Sequence, residues 1–372
     1  MTPAKFSSKQ FFFEKKNQKT FACIGALLLA CLVWGAGAWA APPAVIRIGV
    51  ASAGVGGRPH CGLSFVCVAH DQGLIEQAFA PDGTRIEWHF YTGAGPAVNE
   101  ALAGGLLDFA WQGDLPSIVA RSLGLRTEIL MAAEGRLDYY VAVPSASPAH
   151  SLADLRGKQL ALFTGTNIQT VGTRILESEH LSAADLKLVN LDPPTALAAV
   201  AGGQIDAALL SFWGFGLRDA GKIRFIYSTA THSPKLTAQA ALLVTQDFAA
   251  KYPQAVDRLV AAVIPAAKWA SDEANRQALF AIYAKTGYPA KFFSDAYQDR
   301  SLKLENNPLV DAFVVQQYKD VAAIALRLGL IRRPISVDDW INRGPLNRAL
   351  QAAGLTHFWS AYAEDGVTVT AQ

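Results

Sequence analysis

Two stretches of this chain, 98 residues apart, carry one pattern. The first opens at Gly95-Pro96, runs through an alanine-rich segment to Ala103, and continues Gly104-Gly105-Leu106-Leu107-Asp108 into an apolar strand. The second opens at Pro193-Pro194, runs to Ala201, and continues Gly202-Gly203-Gln204-Ile205-Asp206 into another apolar strand. In each, proline suits the first turn of a helix and a glycine pair suits its end. The strand that follows is apolar enough to be buried on both faces. Alternating strands and helices build mostly parallel α/β sheets. The echo therefore predicts two α/β halves built alike. Chance similarity between Ala- and Gly-rich helices is the alternative.

A third stretch, residues 158–176, has the form of an anion site. Residues 159–163 are a short apolar run suited to a buried strand. Thr164-Gly165-Thr166-Asn167 is a small polar turn, and Ile168, Val171, Ile175 and Leu176 follow at helical spacing. A strand, a tight turn and a helix start together aim free backbone N–H groups at a negative charge. The plainer reading is a helix cap, since Thr and Asn cap helices generally.

The rest of the chain fits around these segments. Strands are expected at 45–51, 85–91, 107–111, 126–132, 138–144, 186–191, 205–210, 222–227 and 238–245. Helices are expected at 63–79 with a break at Gly73, at 97–103, 115–123, 309–328 and 345–353, and at 252–276 with a break at Pro265. The last few residues should fray. The chain would leave the first half near Pro144 and return near 237–244. That gives one lobe of 41–143 with 238–372 and a second of 144–237. Two such crossings would act as a hinge, with a ligand cleft at the carboxyl ends of the strands. The turns gathered there would be 52–64, 93–96, Gly113-Asp114, 164–167 and 211–213.

The first forty residues read as an export signal. Lys5, Lys9, Lys15, Lys16 and Lys19 precede an apolar run from Phe21 to Trp39, and Ala38-Trp39-Ala40 is an A-x-A cleavage pattern. Two alternatives stand beside it: a retained membrane anchor, and a lipoprotein acylated at Cys31 after Leu28-Leu29-Ala30. Residues 1–40 hold five Lys and one Glu, so without them the formal charge falls from +2 to −2. No basic stripe remains to argue for nucleic acid. Cys61 and Cys67 are the cysteines beyond the signal. Export permits a bridge between them, but a separation of six with helical geometry would not. Bridge and buried free thiols both stay open.

Catalytic motifs are missing. The histidines at 60, 70, 89, 150, 180, 232 and 357 sit in no triad or zinc spacing, and G-x-S-x-G, H-E-x-x-H and the phosphate-cradling glycine loop are absent. Glu177 and Glu179 belong on a solvated helix face. Asp108 and Asp206 fit residues that accept backbone hydrogen bonds. The expectation is no catalysis, no metal and no cofactor. Trp111 and Trp213 fit either a core or an apolar wall around a small solute, with Trp213 the stronger candidate for the second.

These motifs together resemble the periplasmic solute-binding proteins of ABC importers, in the group for aliphatic sulfonates, taurine and nitrate. The resemblance lies in Ile46-Arg47-Ile48-Gly49, in Glu100-Ala101-Leu102 with Gly105 and Asp108-Phe109, and in Gly113-Asp114-Leu115-Pro116. It continues in Ser151, Asp154-Leu155, Gly157-Lys158, in the segment from Leu191 through Pro194, Ala198, Gly203, Asp206 and Ala207, and in Gln317 and Leu328-Gly329-Leu330-Ile331 near the end. It implies an α/β, two-lobed type 2 periplasmic-binding fold, each lobe a mixed sheet flanked by helices, with the ligand cleft between lobes. The implied protein is a periplasmic monomer that passes a small organic anion, a sulfonate first, to an inner-membrane ABC permease. The implied ligand residues are Cys61, Gly62, Ser64, Gly113, Asp114, Gly165, Thr166, Asn167 and Trp213, with Arg58 as the nearest flexible cation. Gly165-Thr166-Asn167 stands where the family has G-S-S, and Trp213-Gly214-Phe215 stands where it has W-D-P. Nitrate, an aromatic carboxylate or a thiamine-precursor-like heterocycle are alternative solutes. An enzyme related to thiamine-pyrimidine synthesis is the alternative function, against which the export signal speaks.

Overall fold

Two five-stranded sheets of the same order form the molecule. The computed structural model describes residues 41–370. The export signal, the Cys31 lipidation site and the alternative membrane anchor all lie outside the described residues. Within them, no helix is long and apolar enough to cross a membrane.

The chain begins with β1 (Val45–Val50), α1 (Phe65–Asp71), α2 (Leu74–Phe79), β2 (Arg85–Phe90), α3 (Ala94–Ala103), β3 (Phe109–Gly113), α4 (Asp114–Ser122) and β4 (Thr127–Leu137). It continues through β5 (Tyr140–Pro144), β6 (Gln159–Leu162), α5 (Asn167–Ser178), β7 (Lys187–Asn190), α6 (Pro193–Ala201), β8 (Ala207–Leu210), α7 (Phe215–Asp219) and β9 (Ile223–Ser228). It ends with β10 (Ala238–Thr245), α8 (Gln246–Lys251), α9 (Pro253–Ala270), α10 (Arg276–Ala284), α11 (Ala290–Ala296), α12 (Leu302–Glu305), α13 (Ala312–Arg327), α14 (Gly344–Ala352) and the small hairpin β11 (Ala361–Tyr362) and β12 (Val369–Thr370).

The first sheet has the order β2-β1-β3-β10-β4 and the second β7-β6-β8-β5-β9. In each, three parallel strands are followed by a fourth that runs antiparallel to both its neighbours. The fourth strand of each sheet directly follows or precedes the chain's passage to the other sheet. Ile46, Ile48 and Val50 of β1 are fully buried, as a parallel strand covered on both faces requires. Helix α9 lies over this sheet and puts Leu259, Val260, Val263 and Ile264 in the same core.

Four expectations need correction. The strand expected to end at 132 continues to Leu137, with register shifts in its pairing to β10. Tyr140–Pro144 already belongs to the second sheet, so the first crossing is at Asp138-Tyr139 rather than near Pro144. Helix α9 passes through Pro265 without a break. Pro265 and Ala261, whose carbonyl it leaves without an intrahelical donor, are both exposed, so water takes that bond where a buried proline would leave it unmade. The last described residues are paired rather than frayed, since Val369 pairs with Tyr362 and Thr370 with Ala361.

Candidate functional site

The carboxyl ends of β1, β3, β6 and β8 and the helix starts that follow them supply the expected turns. The turn before α5 is built from its own polar groups. Gly165 has φ 75°, a left-handed conformation that glycine adopts freely. Its N–H donates to Gln169 Oε1 at 2.8 Å. Thr166 caps α5: its Oγ1 accepts from Ile168 N at 3.3 Å and donates to Phe163 O at 2.8 Å. The hydroxyl proton is thus engaged inside the turn in this conformation. Gln169 N–H donates to Thr166 O at 3.0 Å, and the Asn167 N–H is left to face outward from the helix start.

Across from this turn stands the end of β3. A Cβ placed on Gly113 would lie 3.2 Å from Asn167 Nδ2, and one on Gly165 would lie 3.4 Å from Pro96 Cγ. Tyr139 donates to Asn167 Oδ1 at 3.4 Å, and its ring meets Trp213 edge-on at 6.1 Å. Gly113, Gly165, Asn167 and Trp213, far apart in sequence, are therefore brought together. Trp213 Nε1 is buried without a hydrogen-bond partner among the described residues.

Asp114 opens α4 and is fully buried. Its Oδ1 accepts from Leu115 N at 2.6 Å, while Oδ2 has no hydrogen-bond partner among the described residues. Burial pushes its carboxyl up to about 6, against the opposing pull of Arg174 and nearby backbone N–H groups. Arg174 of α5 is the buried cation behind the cleft. It donates to Lys235 O at 2.6 Å, Gln317 Oε1 at 2.6 Å and Thr237 O at 2.9 Å. It thereby ties the second half to both the returning segment and α13.

The first loop is closed by a disulfide, one of the two readings the sequence left open. Cys61 and Cys67 form a disulfide, with Cα atoms 5.5 Å apart. Only Cys67 lies in α1; Cys61 is in the loop before it, which removes the geometric objection raised by helical spacing. Cys61 is fully buried, and Ser64 both caps α1 through Val66 N at 3.1 Å and donates to Ala133 O. A Cβ placed on Gly62 would lie 3.4 Å from both Phe293 and Tyr283. These three residues hold the loop on the first sheet. Arg58 is exposed, and its guanidinium lies against Gly287.

The two halves are shut on each other. Phe212 packs on Tyr288 and Phe293, with ring centroids 5.3 and 5.0 Å apart. Arg218 pairs with Asp295 at 3.1 Å, and Arg327 of α13 pairs with Glu177 at 2.5 Å on the exposed face where it was expected. Arg300 bridges Asp138 at the crossing and Glu305 of α12. Between the halves remains a cavity of about 20 Å³ lined by Leu63, Glu134, Tyr140, Ser211, Tyr297 and Arg300, room for one water-sized group. No cluster of three or more metal-ligating side chains occurs among the described residues.

Sequence reasoning missed Glu134 and Arg174. For Arg174 a signal existed: it sits three residues after Val171, among the apolar positions that face inward. Glu134 was hidden because its strand was expected to end two residues earlier.

Residues 79–276 match the family described as NMT1/THI5 like. The chain belongs to that family. A Bacillus subtilis (strain 168) protein named for binding aliphatic sulfonates is 25% identical over 352 residues, covering 91% of this chain and 97% of that one. A solved protein from Methylobacillus flagellatus KT, named as the periplasmic sulfonate-binding protein SsuA of a sulfonate ABC transporter, is 27% identical with a TM-score of 0.77, covering 87% of this chain and 98% of that one. The fold is that of the type 2 periplasmic binding proteins. It is shared by a desulfurization enzyme, DSZB, at 17% identity and a TM-score of 0.62, covering 83% of this chain and 99% of the enzyme's.

Proposed function

We propose that this chain is the solute-binding component of an ABC importer, working in the periplasm as a monomer. It captures an aliphatic sulfonate or a similar small organosulfur anion and hands it to an inner-membrane permease. The two sheets, with the helices packed on them, act as two lobes that move about Asp138-Tyr139 and the segment before β10.

The observation that carries this reading is the meeting of Gly113, Asn167, Tyr139 and Trp213 across the line between the two sheets. A sulfonate can be buried only if its oxygens are hydrogen-bonded. The start of α5, the Asn167 amide and the unpartnered Trp213 indole N–H are neutral donors of the right kind. The helix dipole adds about 0.3–1 kcal/mol of attraction. Tyr139, Phe212 and Trp213 supply an apolar wall. A solute bound between the halves stabilises the closed form by binding it better than the open one.

The fold shared with an enzyme does not change the reading. A nucleophilic mechanism at the first loop would need a free thiol or hydroxyl, and there Cys61 is disulfide-bonded and Ser64 is engaged at both of its hydrogen-bonding roles.

The test is a thermal-shift screen of ligand-stripped protein against alkanesulfonates, taurine, aromatic sulfonates, sulfate esters, nitrate and neutral heterocycles. A solute that binds the folded state raises the melting temperature. Stabilisation by sulfonates that is lost with matching carboxylates or alcohols, and weakened in Thr166→Ala and Trp213→Ala, supports the reading. Stabilisation by carboxylates or neutral solutes alone removes the sulfonate and keeps the importer.

A further inference from the structure

Helix α7 of the second half and helix α11 hold each other directly. Helix α11 belongs with the first sheet, since its Phe293 is buried in that sheet's core. Phe215 of α7 is buried in the same core, although its own chain segment follows β8 of the second sheet. The Phe215 ring meets Phe292 of α11 edge-on, with centroids 6.3 Å apart. The next residue of α7 is Gly216. A Cβ placed there would lie 2.8 Å from Phe292 Cζ, closer than two non-bonded carbons approach. The Phe292 ring rests on α7 because residue 216 has no side chain. Glycine inside a helix costs stability, so its place here goes with that close approach.

Four charges border this contact. Arg218 and Asp219 of α7 face Lys291 and Asp295 of α11: Arg218 pairs with Asp295 at 3.1 Å, and Lys291 with Asp219 at 3.4 Å. Pairs within each helix, Arg218–Asp219 at 2.7 Å and Lys291–Asp295 at 2.5 Å, complete the set. The Arg218 guanidinium also lies 4.3 Å over the Phe215 ring. These charged side chains are 22–63% exposed, so water and salt screen them and each pair is worth little. The rings are the stronger part, because Phe215 is 1% exposed and aromatic pairs add to the area they bury. The contact is thus complete in protein side chains, and none of them is a donor proposed for the solute.

We propose that the contact of α7 with α11 is a latch that shuts the two halves by protein contacts alone. The latch sets how tightly any solute is held, and the turns set which solute is held. This rests on the solute-binding reading above but not on the sulfonate. A solute held between the halves binds the closed form, and its apparent affinity scales with the fraction of protein that is closed. Loosening the latch lowers that fraction by one factor, whatever the solute.

The experiment is small-angle scattering of the ligand-stripped protein as wild type, Gly216→Val, Phe292→Ala and the double variant. The expected result is a larger radius of gyration for Gly216→Val than for the wild type. Phe292→Ala, alone or combined with Gly216→Val, gives an intermediate radius, because removing the ring both weakens the latch and makes room for the added side chain. Phe292→Ala only removes atoms, so it carries the test if Gly216→Val does not fold. Equal radii for all four proteins overturn the proposal, as does a double variant as open as Gly216→Val. Calorimetric titration with ethanesulfonate and propionate supplies the second readout. Gly216→Val weakens each solute that the wild type binds by the same factor, roughly tenfold or more. A changed ratio between the two puts residue 216 in the solute site and overturns the latch. Failure of the wild type to bind any solute removes the solute-binding reading, and the scattering still decides whether the halves are latched.

Discussion

Asp108 and Asp206 do the same work in the two sheets. Asp108 Oδ2 accepts the backbone N–H of Arg47 in β1 at 2.8 Å, and Asp206 Oδ2 accepts that of Gln159 in β6 at 2.8 Å. Each aspartate stands just before the third strand of its sheet and pins the start of the strand alongside. Asp108 also pairs with the Arg47 guanidinium at 2.9 Å. Asp206→Ala should cost about 1 kcal/mol and Asp108→Ala about 2 kcal/mol, following the worth of single and charge-assisted hydrogen bonds. Urea unfolding measures both, and equal costs would show that the Arg47 pair adds nothing.

The Cys61–Cys67 bridge closes a short loop over the first sheet. Replacing both cysteines by serine should lower stability by about 2 kcal/mol, the loop-entropy value for so short a ring. The protein without its first forty residues should react with a thiol reagent only after reduction. Reaction of the unreduced, folded protein would mean that the bridge is not formed.

Stability should fall as pH rises toward 8. Burial holds Glu134 up to about 8 and Glu305 up to about 7, from an ordinary value of 4.5. Between those limits the folded state binds more protons than the unfolded one. The stabilisation these groups give is fully present below 4.5 and is lost as pH passes the raised values. Arg300, Arg136, Asp138 and Asp114 face the same region and set the size of the effect. Thermal melts from about pH 5 to pH 8 should show a smaller decline for Glu134→Gln than for the wild type. Parallel declines would remove Glu134 from the account.

Closure depends on small residues where the halves meet. Gly113 has φ −65°, so its backbone accepts any residue, but its Cβ direction points at Asn167 Nδ2. Gly113→Val should hold the halves apart and weaken solute binding by roughly tenfold or more, because only the closed fraction binds tightly. The melting temperature without ligand should change little. Unchanged affinity would mean that the ligand is held without this contact.

The two halves were legible in the sequence because buried parallel strands and glycine-terminated helices leave periodic traces. The echo around Gly104 and Gly202 is borne out in two sheets of matching order. What the sequence hid depends on long-range geometry. Nothing local shows that Ala133 and Arg136 bulge out of a ladder formed with a strand a hundred residues later, which is why Glu134 and the true crossing at Asp138 escaped notice. Pro265 misled for a related reason: whether proline breaks a helix depends on which face its orphaned carbonyl occupies.

The most direct measurement is calorimetry on ligand-stripped protein with ethanesulfonate, taurine and propionate in turn, paired with small-angle scattering before and after saturation. The expected result is binding of at least one sulfonate with a dissociation constant well below that of propionate, together with no increase in radius of gyration on saturation. Tight binding of propionate with no measurable binding of either sulfonate would contradict the account, as would a sulfonate complex more open than the free protein.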